Sequence, residues 1–250
     1  MAAFKRTLMA AVVFAAATGL ALAAQPPGGG GKGGGGFGGG GVTGLIKSKT
    51  VMADVKITEE QQAKLKDWSK DFQAKSGEMM KAAMEGIDRQ DRKAMMEKMP
   101  AVQAEISKAA YKELGEVLKP DQVKRLKQIE VQVAGLRAFS QPAVKEALKV
   151  TDEQQTKIQD ALQVSMRDGR DLNEEYGVQG FAGRPADAEK GKEFDKKRAA
   201  ITKEAMAKVM GAMTDDQKKT WTTLVGEPID TAKVQAESAG GGFRGKKKDD

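Results

Sequence analysis

The stretch LKVTDEQQTKI, Leu148 to Ile158, decides the fold, because its pattern occurs at three other places in the chain. Each copy reads apolar residue, Thr (once Lys), two residues that are acidic or Pro, Gln, and an apolar residue four positions later. The copies are Ile57-Thr58-Glu59-Glu60-Gln61 with Leu65, Leu118-Lys119-Pro120-Asp121-Gln122 with Leu126, Val150-Thr151-Asp152-Glu153-Gln154 with Ile158, and Met213-Thr214-Asp215-Asp216-Gln217 with Trp221. The same local structure is therefore predicted at four positions.

That local structure is the start of a helix. A Thr at the N-cap accepts a hydrogen bond from the backbone, and a Gln three residues later bonds back to the cap's own N–H. The acidic residues between them complement the helix dipole, and in the copy that lacks Thr, Pro120 suits the first helical position. The predicted capping residues are Thr58, Gln61, Pro120, Gln122, Thr151, Gln154, Thr214 and Gln217.

The spacing of the copies predicts a tandem duplication. Thr58 and Thr151 lie 93 residues apart, and Gln122 and Gln217 lie 95 apart. We interpret residues 43–139 and 140–229 as two related units, each opening with a short helix. Apolar residues then recur in steps of three, four and seven, which predicts long antiparallel amphipathic helices. The fold class predicted is all-α, with a kink or a late helix start at Pro100.

Both ends of the chain have a different character from these units. Residues 1–23 combine Lys5 and Arg6, an apolar run and Ala21-Leu22-Ala23, the pattern of a secretory signal peptide. Residues 24–42 are mostly glycine, which predicts a disordered leader, and residues 230–250 are small and polar, which predicts a disordered tail. We expect a periplasmic or otherwise secreted protein with no membrane-spanning segment.

Composition argues against enzyme chemistry. The 250 residues include no His and no Cys, so the most common general base and thiol nucleophile are both missing. Acidic pairs such as Glu59-Glu60 lie in predicted first helical turns, where the helix dipole already accounts for them. We therefore expect no catalytic residue, cofactor or dedicated metal ligand, and stability that comes from packed helices.

The methionines are the candidate functional residues. Six of the 13 in the chain cluster around the predicted turn between the first two long helices: Met79, Met80, Met84, Met95, Met96 and Met99. They could be ordinary core residues, an adaptable apolar surface for many clients, or thioether ligands of a soft ion such as Cu(I). Because adjacent residues such as Met79 and Met80 cannot both point inward on a helix, the core interpretation does not cover them all.

The charge pattern does not indicate nucleic-acid binding. The net charge of +7 includes Lys5 and Arg6, and the remaining basic residues alternate with acidic ones at helical spacings. The basic residues of the tail, Arg244 and Lys246 to Lys248, are too few beside two Asp to make more than a weak anchor on an anionic surface.

The motif resembles the LTxxQ motif of the Spy/CpxP family of bacterial periplasmic proteins. The residues that carry the resemblance are Ile57, Thr58 and Gln61; Leu118 and Gln122; Val150, Thr151 and Gln154; and Met213, Thr214 and Gln217. Family members are small all-helical proteins that form cradle-shaped dimers and act as ATP-independent chaperones or as partners of envelope-stress sensors. The resemblance implies that two units in one chain stand where the family uses two subunits.

The predicted function is non-enzymatic binding of unfolded or misfolded envelope proteins. The six methionines from Met79 to Met99 are the predicted client-binding residues. Alternatives are a regulatory or metal-sensing partner of a periplasmic stress sensor and a structural envelope protein.

Overall fold

The computed structural model describes residues 41–88, 91–178 and 183–239, with the backbone alone at Arg92, Met96 and Ala239. Within these ranges the chain contains helices and no strand, so the all-α prediction is confirmed. The helices are α1 Gly41–Leu45, α2 Lys49–Asp54, α3 Glu59–Ala83, α4 Arg92–Val117, α5 Pro120–Ala134, α6 Pro142–Leu148, α7 Asp152–Glu175, α8 Ala188–Gly211, α9 Asp215–Val225 and α10 Thr231–Ala239, with a 3-10 helix at Gly135–Ser140.

All four copies of the motif start a helix, as predicted. At α3, α7 and α9 the Thr side chain accepts from the Gln backbone N–H at 3.2–3.3 Å, and the Gln side chain accepts from the Thr backbone N–H at 2.9–3.1 Å. At α5 the backbone N–H of Lys119 donates to Gln122 at 2.9 Å, and Pro120 is the first helical residue. The Lys119 side chain has no acceptor atom, so only half of the capping box forms there.

The two halves have the same order of elements. A short helix, α2 or α6, is followed within two residues by a lysine with positive φ, Lys56 at 56° and Lys149 at 51°. A capped long helix, a turn, a second long helix and a shorter helix follow in both halves. The bounds of the two units and their origin by duplication stay predictions.

The apolar side chains form two cores that are linked by α5. The first core is built from α1 to α5 and α10, and the second from the end of α5, the 3-10 helix and α6 to α9. Leu126 and Ile129 of α5 belong to the first core and Val131 to the second. The side-chain amide of Gln132 donates to the carbonyls of Val225, the last residue of α9, and Glu227, each at 2.7 Å. Helix α5 therefore holds the halves together by apolar and polar contacts.

The prediction of a disordered tail from residue 230 is wrong for residues 231–239. These residues form α10, whose Val234 is fully buried in the first core. The carboxylate of Glu237 accepts from Ser48 Oγ at 2.6 Å and from the backbone N–H of Thr50 at 2.9 Å, at the start of α2. A helix of this length is unstable in isolation, and here the tertiary contacts stabilise it. Residues 240–250 lie outside the described part.

Two smaller expectations also need correction. The predicted leader, 24–42, overlaps α1 at its last two residues. Val42 is buried in the first core, because its side chain is apolar and packs there. Helix α4 begins at Arg92, eight residues before Pro100, so the late start is wrong. The rest of the leader and the predicted signal peptide lie outside the described residues. In the described ranges every helix is too short or too polar to cross a membrane.

Candidate functional site

The glutamines of the motif do more than cap their own helices, because they also bind each other. In the first half the side-chain amide of Gln61 donates to Gln122 at 2.8 Å, and that of Gln122 donates back at 3.1 Å. In the second half Gln154 and Gln217 make the same reciprocal pair at 2.7 and 2.9 Å. We call each pair a glutamine clasp. The clasps join helix starts that lie 61 and 63 residues apart in sequence.

Each clasp also satisfies carbonyls where the chain leaves a helix. In the first half, Gln61 donates to the carbonyl of Val117 at 3.1 Å, and Gln122 donates to that of Lys56 at 3.1 Å. In the second, Gln154 donates to Ala212 at 2.9 Å and Gln217 to Leu148 at 3.0 Å. Carbonyls at the C-terminal end of a helix have no partner within that helix. Each glutamine therefore serves two helices: its oxygen caps the start of its own helix, and its NH2 group binds a carbonyl at the end of another. Each clasp fixes the base of a long antiparallel hairpin, α3–α4 or α7–α8.

The clasps were not predicted from the sequence. The motif showed that Gln61 and Gln122 start helices, but the capping box accounts for the side-chain oxygen and leaves the NH2 group without an assigned partner. That spare donor, present in all four copies, is the signal that could have indicated a contact between copies.

The predicted client-binding methionines lie at the opposite end of the first hairpin. Met79 and Met80 are in α3, Met84 follows its last residue, and Met95 and Met99 are in α4. All five are half-buried and none belongs to either apolar core. We call these five the methionine tip. The backbone of Met96 is in α4, while its side chain is among those not described.

The packing of the first hairpin loosens toward this tip. Phe72 and Val102 are buried, at 2% and 8% exposure, but no described side chain from 73 to 101 is. Pro100 lies inside α4 and has no N–H, so the carbonyl of Met96 lacks its helical hydrogen bond. The tip is therefore an apolar surface in partial contact with water, on a segment with little core of its own.

Polar contacts mark the boundary between the packed base and the tip. Glu113 accepts from the Trp68 indole N–H at 2.9 Å and forms an ion pair with Lys75. The hydrogen bond from Lys75, the stronger of the two, holds the pKa of Glu113 below its ordinary value against the effect of desolvation. Trp68 stacks on Phe72 with ring centroids 5.0 Å apart. Beyond this cluster the hairpin has no buried side chain among those described until Val102.

No model of a known protein family matches the chain, and no curated protein or solved structure matches it either. The Spy/CpxP resemblance therefore stands on the motif alone. Among the described residues no three His, Cys, Asp or Glu side chains are grouped as they would be around a metal ion.

Proposed function

We propose that the chain is an exported, non-enzymatic binding protein that acts as an ATP-independent chaperone of the Spy/CpxP type. Its clients would be unfolded or misfolded envelope proteins. The observation that carries the proposal is the methionine tip: five half-buried thioether side chains outside both cores, on two helices fixed at their base by a glutamine clasp.

Methionine suits a surface that binds many sequences. Its unbranched side chain adapts its shape at low cost, and its sulfur is polarisable, so one set of residues can pack against different apolar segments. An unfolded protein exposes such segments. The charges around the tip are mixed, with Glu78, Lys81 and Glu85 within a few residues of the methionines. Binding would therefore depend on apolar contact and only weakly on salt.

Suppression of aggregation tests the proposal. The unmodified chain, at stoichiometric amounts and without ATP, is expected to keep a chemically denatured test protein from scattering light. Changing Met80, Met84, Met95 and Met99 together to Gln keeps helix propensity and size but makes the surface polar, and should abolish this effect. Met166→Gln is the matched control, because Met166 is 55% exposed on α7 of the other hairpin.

Two outcomes would contradict the proposal. The unmodified chain could fail to suppress aggregation even at several-fold excess, or the quadruple Gln variant could suppress it as well as the unmodified chain. Circular dichroism of each variant would show that loss of activity does not come from unfolding.

Soft-metal binding is the second candidate function. It is favoured by the spacing Met80/Met84 and Met95/Met99, since residues four apart on a helix lie one above the other. Cu(I) prefers such thioether ligands. Changing these four residues to Leu separates the two functions: a leucine tip stays apolar and should keep client binding, whereas it should lose any Cu(I) affinity seen in an anaerobic titration.

A further inference from the structure

Methionine is the only sulfur-containing residue of this chain, and its distribution is uneven. The sequence has no Cys, and six of its 13 methionines fall between positions 79 and 99. Thioethers are oxidised to sulfoxides, which converts a flexible apolar side chain into a polar one. Oxidation of solvent-accessible methionines on a binding surface therefore makes that surface polar, and such a change can regulate binding.

The structure divides the methionines by their protection. Met213 is 6% exposed and belongs to the second core. Met52, Met206 and Met210 are partly buried and pack against one of the cores. The methionine tip is half-buried but contacts neither core, and Met166 is the most exposed at 55%. Accessibility to a dissolved oxidant should follow this order, with Met166 and the tip first and Met213 last.

We propose that the methionine tip is a site of reversible oxidation by hypochlorous acid, and that oxidation switches off client binding. The inference rests on the proposed function. Each thioether sulfur gains one oxygen atom and loses two electrons, while hypochlorous acid is reduced to chloride and releases one proton. In the reverse step a methionine sulfoxide reductase removes the oxygen as water while two thiols form a disulfide.

The fold tolerates this change at the tip. A sulfoxide oxygen accepts hydrogen bonds and is unfavourable in an apolar core. No described side chain from 73 to 101 is buried, so sulfoxides at Met79, Met80 or Met84 remain in contact with water. The clasp between Gln61 and Gln122 lies at the far end of the hairpin and contains no sulfur. Oxidation therefore alters the polarity of the surface and leaves both cores intact.

Limited oxidation followed by peptide mass spectrometry tests the site. The full chain is treated with increasing hypochlorous acid, and sulfoxide is quantified at each methionine. Met166 and the methionine tip should oxidise well before Met213, while the helix content stays constant. Equal oxidation of Met213 and the tip in folded protein would overturn the assignment.

Client binding is measured on the same samples with a fluorescent unfolded protein. Oxidation at the tip should weaken binding by at least about ten-fold, the effect of losing roughly one buried methionine contact. Methionine sulfoxide reductase with dithiothreitol should restore it. Met166→Leu should lose binding on oxidation, and regain it with the reductase, to the same extent as the unmodified chain, because Met166 lies outside the methionine tip.

The outcomes separate this inference from the proposed function. If the untreated chain does not bind the unfolded protein, the proposed function fails. If the untreated chain binds and oxidation of the tip leaves its affinity unchanged, the oxidation switch alone fails. If Met166→Leu kept its binding after oxidant while the unmodified chain lost it, the switch would also be overturned, because the sensitive residue would then be Met166 and not the methionine tip.

Discussion

The two hairpins share a base and differ at the tip. Each base is fixed by a glutamine clasp with nearly the same hydrogen bonds. At the tip of α7–α8, Leu172 and Phe194 are 5% and 1% exposed. Tyr176 meets Phe194 edge to face with ring centroids 5.5 Å apart, and Lys197 binds Glu175 at 2.6 Å. The tip of α3–α4 has the five half-buried methionines, and none of the side chains described between 73 and 101 is buried.

This difference shows that the clasp and the tip are independent parts of each hairpin. The clasp satisfies helix ends and fixes where the long helices start, so the base stays constant while the distal residues vary. One hairpin places a bulky aromatic residue at its tip and is closed by packing. The first hairpin has flexible methionine side chains at its tip. Since these are only partly packed, their apolar surface is available to a partner.

The largest expected effect comes from removing the aromatic residue that closes the second tip. Phe194→Ala should lower the free energy of unfolding by about 3–5 kcal/mol, because it leaves a cavity in a packed site. Met84→Ala is the counterpart at the first tip and should cost no more than about 1 kcal/mol, since little is packed there. Urea denaturation measures both. Similar costs would show that the tips are equally packed and would remove the contrast.

Breaking a clasp should have the next largest effect, and it should be alike in both halves. Gln154→Ala and Gln61→Ala each leave a carbonyl and an N–H without partners, at a cost of about 1–3 kcal/mol in unfolding free energy. A double-mutant cycle of Gln61 with Gln122 should show a coupling energy of roughly 0.5–3 kcal/mol. Additive losses would mean that the reciprocal pair contributes only through each residue's own helix.

Helix α10 is a further difference between the halves, because it packs on α1, α2 and α5 of the first half. Desolvation pushes the pKa of Glu237 upward, but hydrogen bonds from Ser48 and Thr50 outweigh it and leave the pKa below its ordinary value. The folded carboxyl therefore titrates below the unfolded one, and its stabilisation is present above the unfolded pKa and lost as the pH falls through the folded pKa.

Glu237→Gln should accordingly reduce stability by about 1 kcal/mol at neutral pH, where a charged acceptor is lost. The difference from the unmodified chain should shrink in acid. Thermal unfolding between about pH 3 and 7, the range in which carboxyls titrate, follows this change. A difference that does not depend on pH would show that the carboxylate charge contributes nothing. Glu227→Gln, the same change at an exposed carboxylate ahead of α10, is the control.

The smallest expected effect concerns the one motif copy without a hydroxyl cap. Lys119→Thr gives α5 the acceptor that Thr214 gives α9, and should stabilise the chain by about 0.5–1 kcal/mol. The backbone of Lys119 already has the extended conformation of an N-cap, with φ −68° and ψ 154°. A shift in urea midpoint measures the gain, and a destabilised variant would show that the lysine side chain has a role of its own.

The sequence predicted the helix starts well because they depend on contacts within four residues. The eight predicted capping residues all lie at the helix starts that the structure shows. The clasps could not be derived in the same way, because they join residues more than 60 positions apart. Helix α10 was missed for a related reason: Val234 and Glu237 find their partners in α1 to α5, far away in the chain.

The sequence predicted where the candidate site lies but not how deeply its methionines are buried. Sequence spacing placed the methionines around one turn, and the structure brings five of them to one hairpin end. Their partial burial depends on what the rest of the hairpin leaves uncovered. Neither the loss of packing beyond Phe72 nor the contrast with Phe194 can be read from helical periodicity, since both stretches have the same apolar steps.

The contact between α1 and α10 places the first and last described helices side by side. A Gly/Ser linker could therefore join residue 239 to residue 41, and new ends could be opened between α7 and α8. Such a circular permutant should fold with both cores complete. A fusion partner or an immobilisation tag would then be attached to the second hairpin, and the first hairpin, with its methionine tip, would carry no attachment.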